Sequence, residues 1–252
     1  MFSLEGKVAL VTGGARGLGR ADCLALAEAG ARIVAVDVNE TGAENTAEKA
    51  RAFGHDALAL KVDIRDREQV AKMIKTIREE FGAAPDILVN NAATLDNVAQ
   101  LQDMKDELWD RDVSVNLTGA YNVTKALWRE LIAKKWGRII SMASVAGTMG
   151  GFGQASYSST KAALIGFTRT LALEGARHGI TANAIVPGII GTEAFSKIPD
   201  AMRERMRARV AMRQEGEPRD IATLVVFLAS PEAKYITGAA IPVTGGLHLF
   251  TF

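Results

Sequence analysis

At 252 residues, with 48% hydrophobic and 23% charged side chains, the chain has the balance of a globular protein with a large core rather than a disordered or fibrous one. A formal net charge of +1 supplies no field to drive binding to nucleic acid or to a membrane surface, and no apolar run approaches the ~20 residues needed to cross a bilayer. Cys23 is the only cysteine, which excludes an intrachain disulfide and a cysteine-based metal cluster. It lies in an Ala/Leu-rich helical run, where a small buried hydrophobe is the expected role, and no metal site is expected. The opening Met1-Phe2-Ser3-Leu4-Glu5 lacks the basic and apolar regions of a secretory signal, so a cytoplasmic setting is the expectation.

Short β-branched or apolar runs alternate with longer helical patterns along almost the whole chain. Lys7-Val8-Ala9-Leu10-Val11 reads as a buried strand, and 17–30 as a helix closed by Gly30. A strand over 32–36, a helix over 41–53 and a strand over 57–62 follow. Residues 67–81 place Val70, Met73, Ile74 and Ile77 on one helical stripe, stopped by Gly82. Ile87-Leu88-Val89 is the fourth strand, and one long helix is expected over about 108–134. A fifth strand over 138–142 leads into 144–161, and a helix over about 157–178 precedes a strand over 181–185. An irregular or helical excursion to about Gln214, a helix over 220–229 and a last strand over 240–243 complete the pattern. Such alternation, with near-continuous apolar strands, indicates an α/β fold: a doubly wound parallel sheet with helices on both faces. No repeat or linker-like segment divides 1–252, so one domain is expected.

Thr12-Gly13-Gly14-Ala15-Arg16-Gly17-Leu18-Gly19 falls at the turn from the first strand into the first helix. Glycines there let the backbone approach a pyrophosphate, and the helix start supplies orphan N–H donors and a positive dipole end. The spacing T-G-x-x-x-G-x-G is a variant of the dinucleotide fingerprint. Tight strand-to-helix turns also need glycine; the position after the first strand favours the binding reading. Asp37 ends the second strand, twenty positions beyond Gly17. A carboxylate there accepts hydrogen bonds from the adenosine ribose and repels a 2′-phosphate, which selects NAD over NADP. Arg16 pulls the other way, since a basic residue in the glycine loop can meet a 2′-phosphate, and the plain alternative for Asp37 is an Asx-turn residue before Asn39; Asp37 weighs more heavily, because it would lie closest to the hydroxyl that carries the phosphate, and NAD is the expected cofactor. Asp63 closes the third strand, where it and its neighbours can hold the adenine edge, and Asn90-Asn91-Ala92-Ala93 closes the fourth.

Tyr157 and Lys161 form a Y-x-x-x-K pair, with Ser144 thirteen positions before the tyrosine. If Tyr157 opens a helix, residues at i and i+4 share a face. A cation beside a phenol favours the phenolate and lowers a pKa that starts near ~10, which makes Tyr157 a candidate general acid/base. The same spacing is a common accident on exposed helices, so the surrounding motifs decide.

Taken together, Thr12-Gly13-x-x-x-Gly17-x-Gly19, Asp63, Asn90-Asn91-Ala92, Asn116, Ser144, Tyr157-x-x-x-Lys161 and Pro187-Gly188-x-x-x-Thr192 resemble the short-chain dehydrogenase/reductase superfamily over nearly the whole chain. The resemblance implies a Rossmann-type fold and an oxidoreductase that interconverts a secondary alcohol and a ketone by hydride transfer to nicotinamide. It implies that Tyr157 transfers the proton, that Ser144 orients the substrate oxygen, and that Lys161 holds the nicotinamide ribose and depresses the Tyr157 pKa. Asn116 would anchor a water in a proton relay. Pro187, Gly188, Ile190 and Thr192 would wrap the nicotinamide; Gly13, Arg16, Gly17, Leu18 and Gly19 would hold the pyrophosphate side; Asp37, Asp63, Ile64, Asn90 and Ala92 would complete the cofactor site with Tyr157 and Lys161. None of the three histidines, His55, His178 and His248, lies in a motif that would present a base to Ser144 for a nucleophilic mechanism. Two departures from the family pattern are Ala93 in place of glycine and Thr244 in place of the aspartate of Val-Asp-Gly-Gly.

Substrate choice is expected to rest on a lid at about 189–214, since active-site closure commonly uses such segments. Phe195, Ile198, Met202, Met206 and Met212 suit an apolar pocket wall, and Lys197, Arg203, Arg205, Arg207, Arg209 and Arg213 give it a basic excess. That combination suits a 3-hydroxyacyl/3-oxoacyl thioester on a phosphorylated arm; a solvated helix face laced with salt bridges is the plain alternative. Gly147, Thr148, Met149, Phe152 and Gly153 would form the opposite wall. A small alicyclic or aromatic secondary alcohol is the alternative substrate, and a non-catalytic NAD-binding subunit the alternative of another class. Retention of Asn116, Ser144, Tyr157 and Lys161 together argues against the last, because binding alone needs no acid/base relay. The apolar tail Leu247-His248-Leu249-Phe250-Thr251-Phe252 suits packing on a neighbouring subunit, and the resemblance implies a homotetramer.

Overall fold

The structure is a computed structural model that describes residues 2–95 and 98–249. Seven strands, β1 (Val8–Thr12), β2 (Arg32–Asp37), β3 (Ala57–Lys61), β4 (Ile87–Asn90), β5 (Gly137–Met142), β6 (Ile180–Pro187) and β7 (Ala240–Val243), form one parallel sheet in the order β3-β2-β1-β4-β5-β6-β7. The helices are α1 (Gly17–Glu28), α2 (Glu40–Arg51), α3 (Arg67–Phe81), α4 (Asp106–Val113), α5 (Ala120–Lys134), α6 (Val145–Met149), α7 (Ala155–Gly175), α8 (Asp200–Ala208) and α9 (Pro218–Ala229). The direction of strand addition reverses between β1 and β4, which leaves a crevice at the carboxyl ends of those two strands.

The continuous apolar strands follow from two cores. In β1, Ala9 and Val11 point into one core and Val8 and Leu10 into the other; in β2, Ile33 and Ala35 oppose Val34 and Val36. Successive side chains face opposite ways, so a strand covered on both faces cannot afford a polar alternate position. The first core is closed by Cys23 and Leu26 of α1 and Ile221, Val225 and Leu228 of α9. The second is closed by Val70, Met73, Ile74 and Ile77 of α3 and Val123, Leu127 and Leu131 of α5. Local signals set the helix ends. The Asp66 carboxylate accepts the Glu68 and Gln69 N–H groups at the start of α3, and Gly82 ends it in the left-handed region at φ 67°.

The strands and α1, α2, α3 and α9 match the sequence expectation to within a few residues. The single helix expected over 108–134 is instead α4 and α5 joined by a π-helical segment, Ser114–Gly119. At its end Gly119 packs against Ile64 so tightly that a Cβ there would lie 2.5 Å from Ile64 Cδ1. The helix expected to open at Tyr157 starts at Ala155, and a short helix, α6, precedes it. The excursion 189–214 contains a single-turn 3-10 segment, Phe195–Lys197, and α8. Leu249 is largely exposed, while Phe250, Thr251 and Phe252 of the apolar tail lie outside the described residues.

Leu127 is fully buried in the second core. Leu127→Ala is therefore expected to lower unfolding free energy by about 2–5 kcal/mol; a shift below 1 kcal/mol in urea denaturation would contradict the core assignment.

Candidate active site

The crevice begins with a clamp between β1 and the loop after β4. Thr12 Oγ1 donates to the Val89 carbonyl and accepts the N–H groups of Asn91 (3.0 Å) and Ala92 (3.1 Å). The Asn91 amide donates to the carbonyls of Thr12 (2.9 Å) and Gly13 (3.2 Å). These bonds turn the carbonyls of the glycine loop inward and leave the first N–H groups of α1 facing the crevice. A Cβ on Gly13 would sit 2.8 Å from Ala92 Cα, and one on Gly19 would sit 2.1 Å from the Gly13 carbonyl oxygen. Only glycine permits this approach, and the bare backbone at the positive end of α1 suits a pyrophosphate. Arg16, the residue before α1, is exposed and makes no side-chain cap.

Asp37 lies beside this turn: one carboxylate oxygen accepts the Ala15 N–H at 3.1 Å, the other the Asn39 N–H at 2.9 Å. The Asx turn is thus real, and it fixes the carboxylate next to the glycine loop rather than competing with a cofactor role. Asp63 lies just beyond the end of β3. Its carboxylate is held in a fork by Arg65 (Nε to Oδ1, 2.9 Å), which pushes its pKa down, and Ile64 is buried beneath Gly119. Asn90 is turned away from the loop, its buried amide donating to Thr124 Oγ1 on α5 at 3.0 Å. The asparagine that organises the glycine turn is Asn91, which sequence reasoning passed over; because β4 is buried throughout, no polar alternation marks which asparagine faces inward.

The other wall carries the acid/base candidates. Ser144 precedes α6 and its hydroxyl accepts the Ala146 N–H at 3.1 Å, which orients the side chain at the end of β5. Tyr157 lies in the first turn of α7, and Lys161 follows one turn later on the same face. The Lys161 ammonium is buried, donates to the Met142 carbonyl at 2.6 Å, and sits 5.5 Å from the centre of the Tyr157 ring. Burial lowers the Lys161 pKa to about 8. Burial also raises the Tyr157 pKa, against a smaller downward pull from the neighbouring Ser144 hydroxyl. The direction at the phenol is set by desolvation, while the Lys161 ammonium spends its closest contact on a carbonyl.

Asn116 sits in the middle of the π-helical segment and is buried. Its carbonyl oxygen accepts the Thr94 N–H at 2.8 Å, and its amide donates to the Thr94 carbonyl and to Thr160 Oγ1, both at 3.2 Å. The side chain therefore joins the loop after β4 to α7, between Tyr157 and Lys161, and its amide is occupied by protein groups. One turn earlier, Asp112 is fully buried and accepts hydrogen bonds from Ser156 (2.6 Å), Thr94 (2.7 Å) and Arg111 (3.1 Å). Burial acts to raise its pKa, but these hydrogen bonds together outweigh it and hold the carboxyl below its usual value. Asp112 and Ser156 belong to no motif found in the sequence; only the packing of α4 against α7 pairs them.

Beyond β6, Gly188 approaches Thr244 so closely that a Cβ would lie 2.9 Å from Thr244 Cα. Thr244, where the family pattern has aspartate, engages His248 and the Gly246 N–H instead. Ile190 bridges to Gly216, and Thr192 lies over the glycine turn, 3.8 Å from where a Gly17 Cβ would be. The structure thus brings Thr12, Gly13, Gly17, Gly19, Asp37, Thr192, Ser144, Tyr157 and Lys161 to one crevice.

The sequence profile of the family described as enoyl-(acyl carrier protein) reductase matches residues 13–248. A 3-oxoacyl-[acyl-carrier-protein] reductase of Vibrio harveyi is 44% identical over 98% of this chain and all of its own. The chain belongs to the short-chain dehydrogenase/reductase family. The Escherichia coli K12 protein named as a 3-oxoacyl-[acyl-carrier-protein] reductase is 42% identical over the same shares. Among solved short-chain dehydrogenase/reductase structures, the 3-oxoacyl-[acyl-carrier protein] reductase of Brucella melitensis has a TM-score of 0.92 at 31% identity, covering 98% of this chain and 93% of its own. A proposed gluconate dehydrogenase from Agrobacterium tumefaciens has a TM-score of 0.94 at 32% identity, covering 99% of each chain. As a member of the family, this protein is an oxidoreductase acting on a CH–OH group with a nicotinamide cofactor. No described helix is long and apolar enough to cross a membrane.

Gly19→Ala drives a methyl into the Gly13 carbonyl. It is expected to weaken dinucleotide binding by about tenfold or more, the equivalent of a modest overpacking penalty, and calorimetric titration would show this; undiminished affinity would argue that the loop is not the cradle.

Proposed function

We propose that the protein is an NAD-dependent dehydrogenase/reductase interconverting a secondary alcohol and a ketone, with a 3-hydroxyacyl/3-oxoacyl thioester as substrate. The observation that carries the reading is that Ser144, Tyr157 and Lys161 gather beyond the carboxyl end of β5 while the glycine turn lies beyond that of β1, the two strands that flank β4. When bound, the nicotinamide supplies the hydride acceptor or donor. The Tyr157 hydroxyl gives its proton to the substrate oxygen in reduction and takes it back in oxidation. The Ser144 hydroxyl hydrogen-bonds the same oxygen and stabilises the charge that develops there. Lys161, with a pKa of about 8 and 5.5 Å from the centre of the Tyr157 ring, would hold the cofactor ribose and serve as the next proton carrier. Asn116 and Asp112 hold α7 against the loop after β4, which keeps Tyr157 in register with the crevice.

NAD rather than NADP is supported by Asp37, whose backbone-anchored carboxylate retains free lone pairs for ribose hydroxyls and repels a 2′-phosphate. The thioester is supported by the mouth of the crevice. Val98 packs on Gly153, close before Tyr157, and with the exposed Met149 and Phe152 it forms an apolar wall. Opposite, Met202 and Met212 are exposed on 189–214, which we read as the lid. Arg203 is paired with Asp200, and Arg207 with Glu204 and Glu215, so the salt-bridged helix face accounts for two of the lid cations. Arg205 and Arg209 remain exposed for a phosphorylated arm. The relatives named as 3-oxoacyl-[acyl-carrier-protein] reductases favour the same substrate. A homotetramer is supported by exposed apolar surface on α5 and α7, where Tyr121 meets Phe167 in a tilted ring contact and Leu173 is 81% exposed.

In a screen of NAD reduction, 3-hydroxyacyl thioesters are expected to give higher kcat/KM than small alicyclic or aromatic alcohols; the reverse order would move the assignment to a small-alcohol dehydrogenase. Tyr157→Phe is expected to lower kcat by about 10²–10⁴-fold, the range of a lost general acid/base, with NAD affinity retained in fluorescence titration. Because the Tyr157 pKa is raised, the phenol holds its proton at neutral pH, so the phenolate needed for oxidation becomes more abundant as pH rises. Oxidation is expected to speed up about tenfold per pH unit from neutrality upward, and a flat profile would remove Tyr157 as the base. For Asp37→Ala, the ratio of kcat/KM with NAD to that with NADP should fall; an unchanged ratio would remove Asp37 as the selector.

A further inference from the structure

Glu193 follows Thr192 directly in the segment that leaves β6, and its carboxylate reaches across the crevice to the start of α1. Oε2 accepts the Gly17 N–H at 3.1 Å, and Oε1 lies 3.5 Å from the Arg20 guanidinium. Gly17 and Arg20 stand 176 and 173 positions away in sequence, so only the fold creates the contact. α1 has no acidic residue in its own first turn and no side-chain cap from Arg16. The anionic cap of the dinucleotide-binding helix is therefore delivered by the lid segment. The Gly17 N–H belongs to the same small set of donors, at the same positive helix end, that suits a pyrophosphate. The Glu193 side chain is 56% exposed, so it can leave this position without breaking into the core.

We propose that Glu193 is a latch that competes with the cofactor's phosphates for the Gly17 N–H and Arg20, tying the lid segment to the glycine turn until the dinucleotide enters. This rests on the dinucleotide reading and deepens it. Two anions cannot share one partly exposed N–H and one guanidinium without repulsion, so the phosphates displace the carboxylate and free the segment that carries Thr192, Phe195 and α8. Affinity for the cofactor is thereby set below what the bare cradle would give. The lid is held against the cofactor side in the absence of phosphates and released by their arrival.

Isothermal titration of wild type, Glu193→Gln and Glu193→Ala with NAD, ADP and adenosine separates the possibilities. Gln keeps the size of the side chain and removes only the charge, which guards against a folding defect. Both variants should bind NAD and ADP about two- to fivefold more tightly than wild type at low ionic strength, as expected for a charge at an exposed helix start, with the gain shrinking in high salt. Adenosine, which has no phosphate, should bind all three alike. In parallel, trypsin should cut after Arg205 and Arg209 faster in Glu193→Gln than in wild type when neither nucleotide is added. Unchanged or weaker ADP binding in both variants, an equal gain for adenosine, or identical trypsin rates would overturn the latch. Because ADP carries neither nicotinamide nor a 2′-phosphate, its result stands whether or not the NAD and substrate assignments hold.

Discussion

The site depends first on the clamp between Thr12 and Asn91. A glycine-rich turn is useful to an anion only if its carbonyls are directed elsewhere, since a carbonyl facing a phosphate repels it. Here the Asn91 amide takes the Thr12 and Gly13 carbonyls, and Thr12 Oγ1 takes two N–H groups from the loop after β4. The clamp joins the strands on either side of the switch in sheet order, so it also fixes the crevice width. Each such hydrogen bond contributes only about 1 kcal/mol net, yet losing them would unfasten the turn from the adjacent strand, because no Cβ in the turn can take over their packing.

A second constraint runs through α4, the π-helical segment and the start of α7. A straight helix over 108–134 would carry Asn116 past the loop after β4 at one fixed register. The π-helical segment shifts that register and buries Asn116 against Thr94 and Thr160. Asp112, one turn earlier, ties the same loop to Ser156, the residue before Tyr157. A buried carboxylate is costly unless its acceptor sites are filled. Three donors meet it here, and they lie on the elements whose relative position places Tyr157. Anchoring α7 through a satisfied buried charge fixes its register against the loop after β4 by directional bonds rather than by apolar packing alone.

Much of this was legible in the sequence, for identifiable reasons. Gly13, Gly17 and Gly19 could be read because glycine is the only residue that allows those close approaches, and Tyr157 and Lys161 because helical spacing survives any packing of α7. Asn90 was chosen over Asn91 because a strand buried on both faces gives no alternation to tell inward from outward. The break in the long helix left no trace, since the π-helical segment Ser114-Val115-Asn116-Leu117-Thr118-Gly119 differs from an α-helix only in register. Asp112 and Glu193 belong to no sequence motif; the contacts that give them meaning join distant parts of the chain. The fork that Arg65 makes with Asp63 also lies beyond sequence reading, because two residues of spacing do not show which way either side chain turns.

The raised pKa of Tyr157 bears on the proton chemistry proposed for it. In free side chains the lysine is the weaker acid, near ~10.4 against ~10 for the phenol. Burial reverses that order, because desolvation penalises whichever form is charged: the ammonium falls to about 8, while the phenol rises. In the proposed function, a proton given up by Tyr157 in reducing a ketone would be replaced downhill from Lys161, and Lys161 at about 8 would recharge readily from neutral solution. Had Lys161 simply lowered the phenol, Tyr157 would be a stronger acid with a poorer supply. One desolvated pocket thus makes the terminal donor reluctant and its supplier willing, which suits a reaction that must run the proton in either direction with the hydride.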